Sequence, residues 1–312
     1  MHDMKIIDIT NHFSETSTPL VSVVMPVYNA EVYLASAIES IVAQTYRHWE
    51  LIIVDDNSKD SSRSIIRRYK KLYPEQIRAV FLRSTLNCGG DSATNQGVAR
   101  AKGAFIAKMD ADDIAVPTRF EKQVSYLKMH PDVYLVGSQA AVINAEGQIV
   151  GEKRVPVSHE EIFQEYIYFH PIIHPAVMFR NSGKSPFYQI KYKTANDYFT
   201  FFSLLCEGKR FVNLPEKLLY YRIDGKNASL KNIKKGLLAN IRIKYDIARM
   251  YKYPLSPHAV LKNLAMFVIG MTLPQRVSFY LYLISKGIVS PKDIVREVQS
   301  ALSLPRFSLA RV

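Results

Sequence analysis

Over residues 20–109 the apolar positions switch repeatedly between two periods. Residues 20–28 form a β-branched apolar run with Pro26 near its end, the pattern of a short buried strand. Residues 33–44 then place Leu34, Ile38 and Ile41 on one face of a helix. Strands follow at 51–54, 79–82 and 105–109, separated by helical patterns at 61–73 and 92–101. This alternation predicts an α/β fold whose mostly parallel central sheet is flanked by helices on both faces. An open sheet of this kind binds ligands beyond the carboxyl ends of its strands, so chemistry is expected in the residues that follow them.

Further along, Thr118 with Glu121 predicts a capping box that opens a helix ending near His130, and Ser158 with Glu161 predicts another. Residues 133–142 and 148–155 read as strands joined by the turn at Glu146-Gly147. A helix is expected over 196–207 and a strand over 217–222. The remainder changes character. Helical patterns at 237–250, 259–270, 275–285 and 292–301 are punctuated by Pro254, Pro257, Pro274 and Pro291.

Charge marks the same boundary. Residues 226–312 hold 15 Lys and Arg against 3 Asp and Glu, whereas residues 1–225 hold 26 against 25. The net charge of +13 therefore belongs almost wholly to the tail. The expected organisation is an N-terminal extension (1–19), a near-neutral working domain (20–225) and a basic helical region (226–312). With 48% hydrophobic and 22% charged residues the chain is globular, not disordered or fibrous. The first 18 residues lack the apolar segment of a secretory leader, and no apolar run reaches the roughly 20 residues of a spanning helix. Cys88 and Cys206 cannot build a disulfide framework, which fits a reducing, cytoplasmic setting.

Asp110, Asp112 and Asp113 directly follow the strand at 105–109. Carboxylates so close repel one another when packed, and a hard divalent cation, Mn2+ or Mg2+, relieves that repulsion. A solvated acidic loop is the competing reading, weakened by the position at a strand's carboxyl end. Asp55 and Asp56 end the strand at 51–54, where a carboxylate can accept hydrogen bonds from a base N–H or from ribose hydroxyls. Ordinary capping is the alternative there, and it is the role expected of Asp60. Asp197 starts a helical pattern and would suit an N-cap. His174 lies in an apolar stretch, the usual setting of a hydrogen-bonded core histidine. No phosphate-binding glycine loop, dinucleotide fingerprint, zinc-ligand spacing, EF-hand loop or G-x-S-x-G motif is present. A nucleic-acid partner would account for the basic tail but not for acidic strand ends, and none is expected.

These segments carry a family resemblance. Val21-Ser22-Val23-Val24-Met25-Pro26-Val27-Tyr28-Asn29 resembles the opening strand of family 2 glycosyltransferases with the GT-A fold. Val54-Asp55-Asp56-Asn57-Ser58 is similar to their second motif and residues 87–103 to their third. Met109-Asp110-Ala111-Asp112-Asp113 resembles their metal-binding motif, and His174-Pro175-Ala176-Val177-Met178-Phe179-Arg180 a recurring segment. Asn196-Asp197-Tyr198 stands where that family places its catalytic acidic motif. The resemblance covers residues 20–225. It implies an inverting transfer of a hexosyl group from a nucleotide sugar, UDP-sugars first, to a hydroxyl of a glycan or lipid-linked acceptor in bacterial surface-polysaccharide assembly. By the same resemblance Tyr28 and Asp56 touch the nucleobase, with Asn29 beside them in the donor site, and Asp110 takes the ribose. Asp112, with Asp113, binds the metal on the diphosphate, Asp197 is the general base, and His174 lies near the acceptor pocket.

One position departs from the pattern. Many relatives carry a His two residues after a Tyr-Arg pair as an extra metal ligand, whereas Asp224 follows Tyr221-Arg222-Ile223 here. A carboxylate would suit Mn2+ or Mg2+; it would equally suit the turn before Gly225. This leaves a decayed, membrane-associated scaffold or carbohydrate-binding protein as an alternative. A nucleotidyltransferase is a further one, although residues 26–29 are not a phosphate loop. In the tail, basic residues precede apolar stretches at 264–273 and 277–284 that are too short to span a bilayer. Basic charge beside amphipathic helices predicts peripheral attachment to an anionic membrane face on the cytoplasmic side, against the alternative of a packed helical subdomain.

Overall fold

The computed structural model describes residues 18–82, 89–183, 185–224 and 233–272. The first half alternates as the pattern predicts: β1 (Val21–Val27), α1 (Leu34–Val42), β2 (Trp49–Asp55), α2 (Ser62–Leu72), β3 (Ile77–Phe81), α3 (Gly90–Val98) and β4 (Phe105–Lys108). Strands β3, β2, β1 and β4 lie side by side in that order, all parallel. Their carboxyl ends share one edge of the sheet, which brings Tyr28, Asp56 and Asp110 to the same rim.

Beyond β4 the sheet becomes mixed. It continues through β8 (Met178–Arg180), β6 (Val133–Ile143), β9 (Arg210–Arg222) and β5 (Ile114–Ala115), with β7 (Ile149–Lys153) pairing the far end of β6. The β6–β9 pair is parallel, whereas β8 runs antiparallel to both β4 and β6. Two of these strands have no periodic signature in the sequence. Strand β5 is two residues long, and β8 lies inside an apolar stretch without punctuation. Strand β9 begins seven residues before the predicted 217, because pairing along β6 recruits the mixed polar and apolar residues after the turn at Gly208.

Both faces of the sheet are covered. Val21, Val23, Met25 and Val27 point to one side, packing with Leu34, Ala37, Ile38 and Ile41 of α1. Those helix positions recur at the spacing of a single buried face. Val24 and Ile106 point to the other side, toward α5 (His159–Glu165) and the nearly all-buried α6 (Asn196–Cys206). Helix α7 (Ile233–Tyr251) seats Ile243 and Ile247 in this second core, and Asn263 of α8 (Pro257–Thr272) donates to the Ile167 carbonyl at 3.1 Å. The predicted helices at 275–285 and 292–301 lie outside the described residues.

The two predicted capping boxes have different outcomes. At α5, Ser158 Oγ accepts from Glu161 N and the Glu161 carboxylate accepts from Ser158 N, both at 3.2 Å. At α4 (Arg119–Met129), Thr118 makes no side-chain cap. Gln44, just past α1, meets that helix start instead, accepting from Phe120 N at 3.0 Å, while Thr45 Oγ1 donates to Glu121 at 2.7 Å. A tertiary partner has replaced the local one.

Candidate active site

The acidic loop after β4 is held from below by two arginines. Arg119 is fully buried on α4, donates to the carbonyls of Lys108 (2.9 Å) and Val177 (3.2 Å), and is pushed down to about 9 by burial. Arg222, at the end of β9, donates from its backbone N–H to Asp113 Oδ1 at 2.8 Å and from Nε to the Asp112 carbonyl at 2.8 Å. Its other donors reach the carbonyls of Asn144 and Ala145, and its guanidinium lies 4.3 Å from the Tyr33 ring centroid. The loop's backbone is thus fixed by a planar fork with rigid donor geometry.

One carboxylate oxygen from each of Asp110, Asp112 and Asp113 lies within 4.8 Å of the other two. Burial, reinforced by Asp110, pushes Asp112 up to about 6. Burial together with Asp112 and Asp110 raises Asp113 well above the ordinary carboxylate range. Burial would also raise Asp110, but its ion pair with the buried Lys108 outweighs this and holds it low. Asp113 Oδ2 is buried and has no hydrogen-bond partner among the described residues. Crowded carboxylates, raised proton affinities and an orphaned buried oxygen fit a hard divalent cation. Asp224 lies outside this three-carboxylate group, yet near enough to contribute to the upward shifts of Asp112 and Tyr33.

At the neighbouring strand ends the acidic pair divides. Asp55 is fully buried and bound to Arg63 Nε at 2.6 Å, a structural role. Asp56 Oδ2 accepts the backbone N–H of Gly89 at 3.0 Å, where a φ of +84° suits glycine, and so joins β2 to the start of α3. Tyr28 is 49% exposed at the rim. Asn29 adopts a φ of +49° and accepts from Lys59 N at 2.8 Å, tying the first two strand-end loops together. Asp60 accepts from the N–H groups of Ser62 and Glu31, the turn and capping role expected of it.

Asp197 sits in the first turn of α6, two residues inside the N-cap Ala195. Its Oδ2 lies 3.6 Å from His170 Nε2 and 3.7 Å from His174 Nδ1. Burial alone would raise this carboxyl; the two imidazoles and the Tyr198 N–H outweigh that and keep it ionised. Asp91, in the first turn of α3, faces the same space. Burial, and then the Asp197 charge, push it up to about 7 while Asn196 hydrogen-bonds it. The sequence reading gave no role to Asp91, Lys108 or His170. The repeated His-Pro pairs at 170–171 and 174–175 were the available signal for His170.

Fold and acidic rim together define a GT-A-type α/β enzyme. The chain belongs to glycosyltransferase family 2: the model described as Glycosyl transferase family 2 matches residues 22–194. The O-antigen biosynthesis glycosyltransferase WbnJ of Escherichia coli is 34% identical over 213 residues, covering 67% of this chain and 81% of that protein. Staphylococcus aureus TarS 1–349, solved with UDP, superposes with a TM-score of 0.58 at 18% identity, covering 89% of this chain and 78% of that one. The mannosyltransferase PcManGT of Pyrobaculum calidifontis, solved with GDP-Man and Mn2+, gives 0.57 at 18%, covering 93% and 82%. Among the described residues no helix is long and apolar enough to cross a membrane.

Proposed function

We propose that this chain is an inverting, metal-dependent hexosyltransferase. It moves a sugar from a nucleotide donor, a UDP-sugar first, to a hydroxyl of a glycan or lipid-linked acceptor in surface-polysaccharide assembly. The observation that carries this reading is the carboxylate trio at the sheet's carboxyl edge with Asp197 close enough for Asp110 to feel its charge. The WbnJ likeness supports the polysaccharide setting. Residues 20–225 would be the catalytic domain.

Tyr28, Asn29 and Asp56 would line the nucleobase end of the donor site and Asp110 the ribose. Asp112 and Asp113, with Asp224 at their side, would hold Mn2+ or Mg2+. Bound there, the cation supplies Lewis-acid stabilisation of the leaving diphosphate. A sugar hydroxyl is a weak nucleophile at neutral pH. Asp197 takes the acceptor's proton as its oxygen bonds to the anomeric carbon. The bond from that carbon to the diphosphate breaks, and its electron pair leaves with the nucleoside diphosphate. Single displacement inverts the anomeric centre and needs no covalent nucleophile.

The region 226–312 would attach the enzyme peripherally to the cytoplasmic membrane face. Leu261 and Leu264 of α8 are 67% and 57% exposed, beside Val260, Val268 and Ile269. Lys262 on the same helix, with Arg242 and Arg249 on α7, supplies basic charge for anionic lipid.

Calorimetry of UDP, GDP, dTDP and CMP, each with and without Mn2+, tests the enzyme reading. Metal-dependent binding of UDP is expected. Metal-dependent GDP binding would replace the donor base and keep the site, whereas binding of none would return the protein to the scaffold class.

A further inference from the structure

Asp197 is flanked by two histidines, each with a tyrosine behind it. His170 and His174 approach the same oxygen, Oδ2, at 3.6 and 3.7 Å. Each imidazole is engaged by a tyrosine on its opposite nitrogen: Tyr188 Oη lies 2.6 Å from His174 Nε2, and Tyr166 Oη lies 3.2 Å from His170 Nδ1. Burial raises both phenols well above their ordinary value, so each keeps its O–H and can donate to its histidine. A tyrosine that donates to its histidine places the ring proton of the neutral imidazole on the nitrogen that faces Asp197.

This frame is rigid. Asn95 of α3 grips Tyr188 through both backbone groups, donating to its carbonyl at 2.8 Å and accepting from its N–H at 2.7 Å. Tyr198 Oη donates to the Tyr166 carbonyl. Phe201, one helical turn beyond Asp197, stands edge-on to both imidazoles, with centroids 5.9 Å from His170 and 5.8 Å from His174. Both histidines precede a proline, and His174 opens a single 3-10 turn over His174–Ala176. All three polar groups keep some solvent access: the side chains of Asp197, His170 and His174 are 24%, 18% and 19% exposed.

We infer that His170 and His174 are positioning residues that clamp Asp197 from two sides, each oriented by its own tyrosine. They fix the carboxylate's rotamer and hold Oδ2 from the imidazole side, so that the acceptor hydroxyl meets the carboxylate from the other side. The inference rests on the reading of Asp197 as the base. Contacts of 3.6 to 3.7 Å are longer than formed hydrogen bonds, and such bonds often tighten only when substrate arrives. The other charged groups that bear on the clamp are Lys108 and Asp110 at the end of β4, Asp91 on α3 and Lys153 on β7.

Carbon-13 NMR of the Asp carboxyls and long-range nitrogen-15 NMR of the imidazoles, on the full chain, test this without a known substrate. Loss of one carboxyl signal in Asp197→Asn assigns it. In the wild type, Asp197 should stay ionised well below the ordinary value of about 3.9, with protons on His174 Nδ1 and His170 Nε2. His170→Phe and His174→Phe keep the ring against Phe201 but remove its N–H, and each should raise the Asp197 titration by about one pH unit or more. His170→Gln and His174→Asn replace the facing N–H donor without its charge and should restore the hydrogen-bonded part of that shift. Tyr188→Phe should release the tautomer of His174, which gives a readout if either Phe variant fails to fold. An Asp197 titration unmoved by all of these, or protons on the opposite ring nitrogens, overturns the clamp. Full turnover by Asp197→Asn, measured separately, would instead overturn the base and leave the NMR result standing.

Discussion

Asp112→Asn should stabilise the metal-free protein and destabilise the metal-loaded one relative to wild type. In the folded state burial and the neighbouring Asp110 lift Asp112 to about 6 from the ordinary 3.8. A carboxyl whose folded value is raised favours folding fully only below its unfolded value, and that contribution is lost as pH rises through 6. Integrated, the cost of keeping Asp112 ionised is about 3 kcal/mol at pH 8 and falls to about 0.5 kcal/mol at pH 4. The amide removes the charge and the cost. Urea unfolding in chelator should therefore show the variant more stable by up to about 3 kcal/mol at pH 8, with the gap nearly closed at pH 4. Adding Mn2+ at about a hundred times its Kd gives the wild type about 2.7 kcal/mol, and a thousandfold excess about 4.1 kcal/mol, so the order cancels and then inverts. A variant no more stable than wild type at pH 8 in chelator refutes the crowding argument. Equal stabilisation of both proteins by Mn2+ refutes the assignment of Asp112 as a ligand.

Asp197→Asn should leave nucleotide affinity unchanged and cut turnover by about 10²- to 10⁴-fold, read by steady-state release of nucleoside diphosphate; turnover within a few-fold of wild type would remove Asp197 from the mechanism. Gly97→Ala in α3 would set its Cβ 2.4 Å from Val24 Cγ1 and 3.3 Å from Val54 Cγ2. Overpacking of about 1–3 kcal/mol against a helix-propensity gain of about 1 kcal/mol leaves net destabilisation of up to about 2 kcal/mol in denaturant melts. Replacing the exposed Leu261 and Leu264 together by Glu should abolish flotation with phosphatidylglycerol vesicles while leaving donor binding intact, and undiminished flotation would take α8 out of membrane attachment.

Much of this molecule is written in short range. The alternation of β-branched runs with helical spacings specifies β1 through β4 and their parallel direction, because a strand buried on both faces and an amphipathic helix must cover one another. Their order in the sheet is a tertiary fact. Acids placed directly after β2 and β4 reach the carboxyl rim by that topology alone, so Asp56, Asp110, Asp112 and Asp113 were legible before any coordinates. What only the tertiary structure decided is who meets whom across long separations. Gln44, not Thr118, serves the start of α4, since a side chain 76 residues away reaches the orphan N–H in place of the local hydroxyl. Arg222 reads as half of a Tyr-Arg pair and becomes the clasp of a loop 110 residues earlier. The repeated His-Pro pairs mark His170 only weakly, because its partners Asp197 and Tyr166 are assembled by the packing of α5 and α6 against the sheet. Local sequence sets period and propensity, whereas the pairing of buried polar groups is settled by which donors and acceptors remain unmet once the elements dock.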